Sequence, residues 1–571
     1  MPSPRHHADL RTVQRAPAPA HALPALEALR DLPGAAGADA RREPLARLAA
    51  ATLRSAAEVL RLHECLCWLR AYAGGHAERA QVASMLDGFA DRVDLQRHRR
   101  ALADSGIAGT DTRYRFFWGQ ALWLATRWPA QLALDRRAGA DAAPRLARAL
   151  PVLVTHVEMQ ALVELHLDGF DAIDRLRDAG TSDAVFLQRR IEAMPGDGFT
   201  REAFSDAIDA TYVLRAGPGT PSRSTAFFAP APRVPGSAPR RGRADLRAEL
   251  ARAPRRVRAL ARRDARAAID LARAAMVLRA RSLEAFSFAD ARDAWLVDDG
   301  DGLSFVFVGV VPERRQTIAT VCGGLTLRNG VPIGYVQADI VGATAALSFN
   351  TFETFRAGEA GYTFARWLAA LHHVHGVRSF SIEPYQLGQG NDEALDSGAW
   401  WFYAKMGFEP REPAVQGLAQ AERRRLAQHP GARSGRRTLQ ALASVHLLFE
   451  ADPAQPHPLP PQQGLGLVAA QALSARAAAD RDAAQAACER DARRALGLTS
   501  LAGFSAAERQ AWRRWAPLLA MLPLDRWSAT ERADLVALVR AKAARSEAGF
   551  VRAWQRHPKL DAALRALLPA R

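Results

Sequence analysis

The sequence of 571 residues contains very little lysine and cysteine. Its only lysines are Lys405, Lys542 and Lys559, so the formal charge of +17 comes almost entirely from arginine. Its four cysteines are too few and too scattered for the disulfide framework that stabilises small secreted domains. The small number of cysteines therefore favours a reducing compartment.

Long apolar runs are also missing from the sequence. No stretch of about 18 uncharged apolar residues occurs, and a membrane-spanning helix needs a stretch of that kind. The N-terminal residues lack the apolar core of a secretory signal. We therefore predict a cytoplasmic protein without a membrane span.

Histidine and cysteine show no spacing that is typical of a metal site. His63, Cys65 and Cys67 lie in a helical stretch, where residues two apart point to different faces. The three histidines within residues 372–375 lie on a predicted long helix without a carboxylate or cysteine in register. The sequence therefore predicts no metal.

The composition is otherwise that of a folded protein. Hydrophobic residues make up 49% of the chain and charged residues 24%, and both values are ordinary for globular proteins. Because a domain usually has about 100–150 residues, a chain of this length is expected to form several domains with separate cores.

The excess of arginine has two interpretations. It can reflect a GC-rich coding sequence that gives a solvated basic surface, or it can serve a nucleic acid, a membrane surface or an acidic partner. The first interpretation is favoured, because the sequence has no RNA-binding signature, zinc-finger spacing or basic zipper. Binding of a nucleic acid is the less favoured alternative.

Changes in composition and periodicity divide the chain into segments. Apolar residues recur at helical spacing in the N- and C-terminal parts, which are separated from the middle by stretches dense in Pro, Gly and Ser. The predicted fold class is α+β, with a central mixed sheet flanked by all-helical N- and C-terminal regions. We predict a disordered leader at 1–24, a helical domain at 25–215, a Pro/Gly-rich linker at 216–242, an arginine-rich helix at 243–283, an α/β domain at 284–451, a Pro-rich linker at 452–465 and a helical C-terminal domain at 466–571.

Strand patterns dominate the middle of the chain. Short apolar runs such as LSFVFVGVV, VPIGYVQADIV and SFSIEP begin near residue 295, and ASVHLLFE resembles a last strand. Asn329 and Gly330 stand between two runs, and this dipeptide favours the left-handed backbone of a tight hairpin turn. We therefore predict a mixed sheet over residues 295–410, a hairpin turn at Asn329-Gly330 and a helix that begins within a few residues of Gly358.

The order of these elements resembles that of a known family. A hairpin and a strand are followed by a polar Gly-containing turn, a long helix, a strand, a loop and the aromatic run AWWFYAKMGFEP at 399–410. This order and this run resemble the GNAT superfamily of N-acyltransferases over about residues 284–451. The resemblance implies a GNAT-like sheet and acyl transfer from acyl-CoA to an amine.

The resemblance also implies a role for Tyr403. In the family a tyrosine at this position often protonates the thiolate of coenzyme A as it leaves, and a phenol with a pKa near about 10 can donate a proton to a thiolate. The alternative is a structural role, in which the Tyr403 ring packs on the sheet.

The turn before the long helix is the implied cofactor site. The run RAGEAG at 356–361 is similar to the family's loop, in which backbone N–H groups at a helix N-terminus hold the pyrophosphate of coenzyme A. The resemblance therefore implies that acyl-CoA is bound by Arg356, Gly358, Ala360 and Gly361.

Glu359 departs from the family's pattern, because it stands where the family has a glycine and brings a carboxylate to the phosphate position. Three alternatives follow. The side chain turns to solvent, the cofactor binds in another way, or the domain has the family's shape without its usual cofactor. As an acidic residue in a first helical turn, Glu359 also complements the helix dipole.

Candidate residues for the remaining roles lie near the predicted strand ends. Glu383 is a candidate general base, because it follows SFSI where a splayed sheet opens a cleft, and Glu353 is the second candidate. For both, a surface or ion-paired carboxylate is the alternative. Tyr385, Gln386 and Asn391 are candidates for an amine-acceptor pocket.

We therefore predict an N-acyltransferase-like protein that transfers an acyl group from acyl-CoA to a small-molecule or peptide amine. The alternative is a non-catalytic scaffold with a degenerate GNAT-like domain, whose arginine-rich helices dock an acidic protein partner. The weaker alternative is a nucleic-acid-binding protein, whose affinity would depend steeply on salt.

Overall fold

The computed structural model describes residues 21–138, 142–356, 358–454, 456–457, 462–477 and 480–568. Most of the predicted leader at 1–24 lies outside these ranges, and its last residues already belong to the first helix, which begins at Ala22. No helix within the described ranges is both long and apolar enough to cross a membrane.

The N-terminal region is built mainly of helices. They are α1 (Ala22–Leu29), α2 (Gly34–Ala50), α3 (Ala56–Ala71), α4 (His76–Asp87), α5 (Val93–His98), α6 (Trp118–Arg127), α7 (Ala142–Leu153), α8 (His156–Glu164), α9 (Gly169–Leu176), α10 (Asp183–Glu192) and α11 (Gly198–Ile208).

This region also contains a small antiparallel sheet with the strand order β1-β3-β2. Its strands are β1 (Thr112–Tyr114), β2 (Leu132–Leu134) and β3 (Tyr212–Leu214). The prediction of an all-helical domain at 25–215 is therefore wrong. Strands of three residues are too short to show the alternation of apolar and polar residues by which strands are recognised in a sequence.

The segment predicted as one arginine-rich helix at 243–283 is divided into three elements. They are α12 (Leu246–Ala251), β4 (Arg256–Ala259) and α13 (Arg262–Val277), and α14 (Glu284–Ser287) follows. The single-helix prediction is wrong, because Pro254 lacks an N–H and disfavours helical backbone in the residue before it. Val257, which lies within the predicted helix, pairs with Val297 in a sheet.

The middle of the chain forms one mixed sheet of eight strands in the order β11-β10-β9-β8-β7-β6-β5-β4. The pairing of β9 with β10 is parallel, and the other pairings are antiparallel. The prediction of mixed α/β structure is confirmed. The remaining strands are β5 (Ala289–Gly300), β6 (Leu303–Val310), β7 (Thr320–Arg328), β8 (Val331–Val341), β9 (Thr344–Thr351), β10 (Ser379–Ile382) and β11 (Leu447–Glu450).

The turn between β7 and β8 is the predicted hairpin. Asn329 has φ 51° and Gly330 has φ 85°, and both values lie in the left-handed region that a two-residue hairpin turn requires. The strands pair directly on either side of the turn, where Arg328 is opposite Val331. The prediction at Asn329-Gly330 is confirmed.

Six helices belong to this central region: α15 (Ala360–His375), α16 (Pro384–Leu387), α17 (Asp392–Ser397), α18 (Ala399–Lys405), α19 (Pro413–Gln428) and α20 (Arg436–Leu442). Helix α15 begins two residues after Gly358, as predicted, and connects the parallel strands β9 and β10. A parallel pair needs such a crossover, because a tight turn joins only antiparallel strands.

The described C-terminal residues are helical, as predicted for 466–571. The helices are α21 (Gln462–Ala477), α22 (Arg481–Ala495), α23 (Ala506–Leu519), α24 (Ala529–Ala541), α25 (Ala548–Arg556) and α26 (Leu560–Arg565). Helix α21 begins inside the predicted linker at 452–465. Short 3₁₀ helices occur at Phe89–Asp91, Pro312–Arg314, Glu353–Phe355 and Leu524–Arg526.

Helices cover both faces of the central sheet. One face, which we call the α15 face, carries Phe307, Val336 and Leu347 and packs against α15, α18 and the C-terminal helices. The other face, the α13 face, carries Val306 and Leu325 and packs against α13 and the first N-terminal helices. The helices and strands between about residues 116 and 214 enclose a further core.

Close packing on the α15 face predicts the effect of a single methyl group. A Cβ atom at Gly324 of β7 would lie 2.1 Å from Cζ2 of the buried Trp367. We expect Gly324→Ala to lower the free energy of unfolding by about 1–3 kcal/mol, because the ring and strand must move apart. The exposed Gly417 of α19 has no atom within 4 Å of such a Cβ, so Gly417→Ala should stabilise by about 0.5–1 kcal/mol. Calorimetric unfolding of both variants tests this, and equal melting temperatures would contradict it.

Candidate functional site

The parallel strands β9 and β10 part from each other before β9 ends. Their pairing stops at Leu347 and Ile382, whereas β9 continues to Thr351 and the chain leaves the sheet at Glu383. Within the described part of the chain, residues 348–351 therefore have a strand neighbour only on the β8 side. We call the gap between residues 348–351 and Glu383 the strand opening.

Tyr403 of α18 lies on the α15 face of the sheet and is only 3% exposed. Its ring makes edge contacts with Phe364 of α15 at 5.5 Å and with Phe408 at 6.0 Å between ring centroids. The neighbouring Phe402 stacks on Phe349 of β9 at 6.0 Å. The aromatic residues of α18 therefore pack directly against the strand that borders the opening.

Burial is the main cause that raises the pKa of Tyr403, and the phenol of Tyr335 raises it further. Tyr335 belongs to β8, where it is paired with Asn350 of β9, and packs with the residues of the α13 face. The two phenols are thus electrostatic neighbours although they extend from opposite faces. Both lie in the region where β10 no longer fills the sheet.

Asp339 is an ionisable group near this region whose pKa is raised towards neutral pH. It lies on β8 opposite Ala346 of β9 and accepts a hydrogen bond from Gln337 Nε2 at 3.3 Å. Burial, and then the negative charges of Glu383 and Glu284, raise the pKa of Asp339 to about 7. Such a carboxyl group can accept or donate a proton near neutral pH.

Sequence reasoning missed Asp339 as a candidate. A signal was present, because Tyr335, Gln337 and Asp339 alternate with the buried Val336 and Ala338 in the same strand. Alternation places the three polar side chains together on one face. The raised pKa of Asp339 depends on charges from other segments, however, and spacing within one strand does not reveal it.

The two predicted bases lie in different surroundings. Glu383 is exposed and directly follows β10, where its charge acts on Asp339. Glu353 is exposed in the 3₁₀ helix after β9. The structure therefore brings Glu383 to the strand opening as a neighbour of Asp339.

The three residues predicted to form an acceptor pocket differ in exposure and in hydrogen bonding. Tyr385 is 57% exposed, and Gln386 is half-buried beside it in α16. The side chain of Asn391 accepts a hydrogen bond from the Ala394 N–H at 3.2 Å and so caps α17. Asn391 thus has a structural task, whereas Tyr385 is open to solvent.

The N-terminus of α15, where the resemblance implies a pyrophosphate, is covered by other parts of the chain. A Cβ at Gly358 would lie 3.0 Å from the indole of Trp68, and a Cβ at Gly361 would lie 3.3 Å from the carbonyl oxygen of Gly242. Ala360 is half-buried at the first position of the helix. Helix α3 and the linker before α12 therefore occupy the approach to these residues.

Arg356 lies beside this turn and is exposed. Its guanidinium donates to the backbone oxygen of Thr351 at 3.3 Å and forms an ion pair with Glu393 at 3.2 Å. Ala357 of the same motif lies outside the described residues. Arg356 therefore contacts the end of β9 rather than the N-terminus of α15.

Glu359 is buried, with 2% exposure. Its carboxylate forms an ion pair with Arg328 and accepts hydrogen bonds from the Tyr72 hydroxyl at 3.2 Å and from the Arg240 backbone N–H at 3.1 Å. The side chain therefore does not turn to solvent, which was the first of the three alternatives. It joins the sheet, α3 and the linker at the positive end of α15.

Buried histidines elsewhere have structural surroundings. His375 at the end of α15 stacks on Phe307 at 6.3 Å, and burial lowers its pKa to about 4. His63 of α3 shares a hydrogen bond with Ser224 Oγ at 2.9 Å. Within the described ranges, no group of three or more His, Cys, Asp or Glu side chains has an arrangement that could hold a metal ion.

Comparison of the chain with protein-family models, with curated proteins and with solved structures finds no match. The function of the site is therefore argued from its own geometry and charges.

The surroundings of Glu359 predict a large effect of neutralising it. We expect Glu359→Gln to lower the free energy of unfolding by about 3–5 kcal/mol, because it leaves the Arg328 charge buried without a counter-charge. Glu353→Gln is the matched control, since Glu353 is an exposed glutamate six positions earlier. It should change stability by less than about 0.5 kcal/mol. Equal melting temperatures for the two variants would contradict the structural role of Glu359.

Proposed function

We propose that this protein is an N-acyltransferase-like enzyme that transfers an acyl group from an acyl thioester to an amine at the strand opening. The proposal is supported above all by the parallel pair β9 and β10, which separates after Leu347 and Ile382. Tyr403 is beside this gap on one face and Asp339 is near it on the other. The resemblance of the sequence to the GNAT family, in the order of its elements and in the run at 399–410, also supports the proposal.

The proposed reaction assigns one proton transfer to each group. The amine nitrogen attacks the thioester carbonyl carbon while the Asp339 carboxylate accepts the amine proton. Backbone N–H groups on the free edge of residues 348–351 polarise the carbonyl oxygen. The C–S bond then breaks, and Tyr403 donates its phenolic proton to the departing thiolate. Exchange with solvent returns both groups to their starting states.

The protonation states of both groups agree with these roles. Tyr403 is a neutral phenol at physiological pH and has a proton to donate, and burial raises its pKa and makes it a weaker acid than a free tyrosine. With a pKa of about 7, Asp339 is a stronger base than an ordinary aspartate and is ionised in a useful fraction of molecules. Glu383 contributes through its charge, which favours proton uptake by Asp339.

The acyl donor has the chemistry of acyl-CoA, but the covered N-terminus of α15 argues against the family's usual position for its pyrophosphate. Glu359 and the linker fill that position. We therefore propose that the phosphates of the donor bind elsewhere on the domain. A small-molecule or peptide amine is the proposed acceptor, and Tyr385 at the surface of α16 is the candidate residue that it meets first.

A non-catalytic scaffold is the second candidate function. It is favoured by the burial of Glu359, whose bonds to Arg328, Tyr72 and Arg240 tie α15 to the sheet, the N-terminal helices and the linker. Arg262, Arg263 and Arg266 on the exposed side of α13 supply the basic surface that an acidic protein partner requires.

The enzyme proposal predicts that turnover requires an ionised Asp339, which accepts a proton, and a protonated Tyr403, which donates one. We expect Asp339→Asn and Tyr403→Phe each to lower turnover by about 100-fold or more, the usual contribution of a positioned acid or base. Wild-type turnover should rise with pH up to about 7 as Asp339 ionises and then level off. Thiol release from acetyl-CoA with a panel of primary amines and peptides measures both effects.

Tyr212→Phe is the matched control, because Tyr212 is a buried tyrosine of the N-terminal sheet and its hydroxyl bonds to Gln188. Its turnover should equal that of the wild type. The scaffold function is supported instead if the folded wild type neither transfers an acetyl group to any amine of the panel nor gains thermal stability with acetyl-CoA.

A stability measurement tests the raised pKa of Asp339 independently of catalysis. A carboxyl group whose pKa is higher in the folded than in the unfolded chain stabilises the fold at low pH, and that contribution is lost as pH rises towards 7. Asp339→Asn removes the ionisation, so the variant should be stabilised relative to the wild type more at pH 8 than at pH 5. Thermal unfolding at both pH values measures the difference, and an equal difference at both would contradict the shift.

A further inference from the structure

An open cavity of about 970 Å³ lies beside α18. Its walls come from α17, α18 and the loop after it, α19, the loop before α20, α20 itself and Arg243 before α12. This volume is within the range of about 300–1,000 Å³ that small-molecule sites occupy. The cavity does not include Asp339, Tyr403 or Glu359, but one of its lining residues, Phe402, stacks on Phe349 at the strand opening.

Four cationic side chains line this cavity: Arg243, Lys405, Arg423 and Arg433. The side chain of each is exposed, and none of the four forms an ion pair or a side-chain hydrogen bond with another described residue. Neighbouring arginines behave differently, since Arg425 is paired with Glu422. The four unpaired charges converge from separate segments and give the cavity a positive potential.

Acidic groups in the cavity only partly offset this charge. Asp396 and Glu409 also line it, but Asp396 is paired with Arg436 at 3.3 Å. Unpaired positive charge therefore predominates. An anionic group that enters the cavity can contact more than one guanidinium, and guanidinium groups bind phosphate in a bidentate manner.

Aromatic side chains form another part of the wall. Trp401 and Phe402 line the cavity, and the Trp401 ring is held in place because its Nε1 donates to Ser434 Oγ at 2.9 Å. A fixed indole is a stacking surface for a planar ring. Cations and a fixed aromatic ring together suit a ligand that carries both phosphates and a planar base.

We propose that this cavity binds a nucleoside diphosphate group, with its phosphates on the arginines and Lys405 and its base against Trp401. The group can belong to a free nucleotide or to a larger molecule such as coenzyme A. The proposal does not depend on acyl transfer, because binding requires neither Asp339 nor Tyr403.

Calorimetric titration of the full-length protein at low salt tests the proposal, with ADP, coenzyme A, pyrophosphate and adenosine as separate probes. ADP or coenzyme A should bind more tightly than pyrophosphate or adenosine. Pyrophosphate lacks the planar base that stacks on Trp401, and adenosine lacks the phosphates that bind the cationic side chains. Tighter binding of ADP than of coenzyme A identifies a free nucleotide, and the reverse order identifies coenzyme A. Raising the salt concentration should weaken the binding of the probes that carry phosphate.

Two double variants distinguish binding in the cavity from binding to the general positive charge of the protein. Arg423→Ala with Arg433→Ala should weaken binding at least tenfold. The matched control is Arg424→Ala with Arg437→Ala, since these exposed arginines lie one and four residues away in the chain and do not line the cavity. The control should bind within twofold of the wild type. All four positions are exposed, and circular dichroism checks that both proteins fold.

Trp401→Leu tests the stacking surface. This change should weaken the binding of ADP or coenzyme A and leave the affinity for pyrophosphate unchanged. The proposal is overturned if the folded wild type binds none of the four probes at millimolar concentration. It is also overturned if both arginine pairs lose affinity equally, because binding would then reflect only the overall basic surface.

Discussion

The buried ion pair between Glu359 and Arg328 is the interaction on which the arrangement of this protein depends. Glu359 precedes α15 and Arg328 ends β7, and the same carboxylate also bonds to Tyr72 at the end of α3 and to the backbone of Arg240 in the linker. Buried charges are stable only when they are fully paired, because an unpaired one loses its hydration without compensation. One side chain therefore fixes how the sheet, the first helices and the linker meet.

Because Glu359 is used in this ion pair, its carboxylate has a structural role and is not available for chemistry. Other charged groups are available. The Glu359 carboxylate places a negative charge of the protein itself at the positive end of α15. The perturbed carboxyl group of Asp339 lies instead opposite Ala346, where β9 and β10 are still paired just before they separate. The cations that have no partner among the described residues line the cavity beside α18. A region that resembles a cofactor loop in sequence thus joins the central sheet to α3 and to the linker.

Sequence patterns predicted the parts of the fold that depend on local signals. The turn at Asn329-Gly330 follows from the left-handed preference of these two residues, and the start of α15 follows from the polar turn before an apolar helical stripe. The three-residue strands and β4 were missed because their partners are distant in sequence. Glu359 was recognised as unusual, but its burial depends on Tyr72 and Arg328. Asp339 was missed because its pKa depends on carboxylates from other segments.

The short outer strand β4 has a consequence for the behaviour of the protein at high concentration. An edge strand exposes unpaired N–H and C=O groups that can pair with the edge of another molecule and begin aggregation. Here the edge is four residues long and carries Arg256 and Arg258, and Pro254 stands just before it. Two edges of this kind would repel each other as they approached. Arginine, the residue that gives the chain its high positive charge, thus also protects the β4 edge of the largest sheet from self-association.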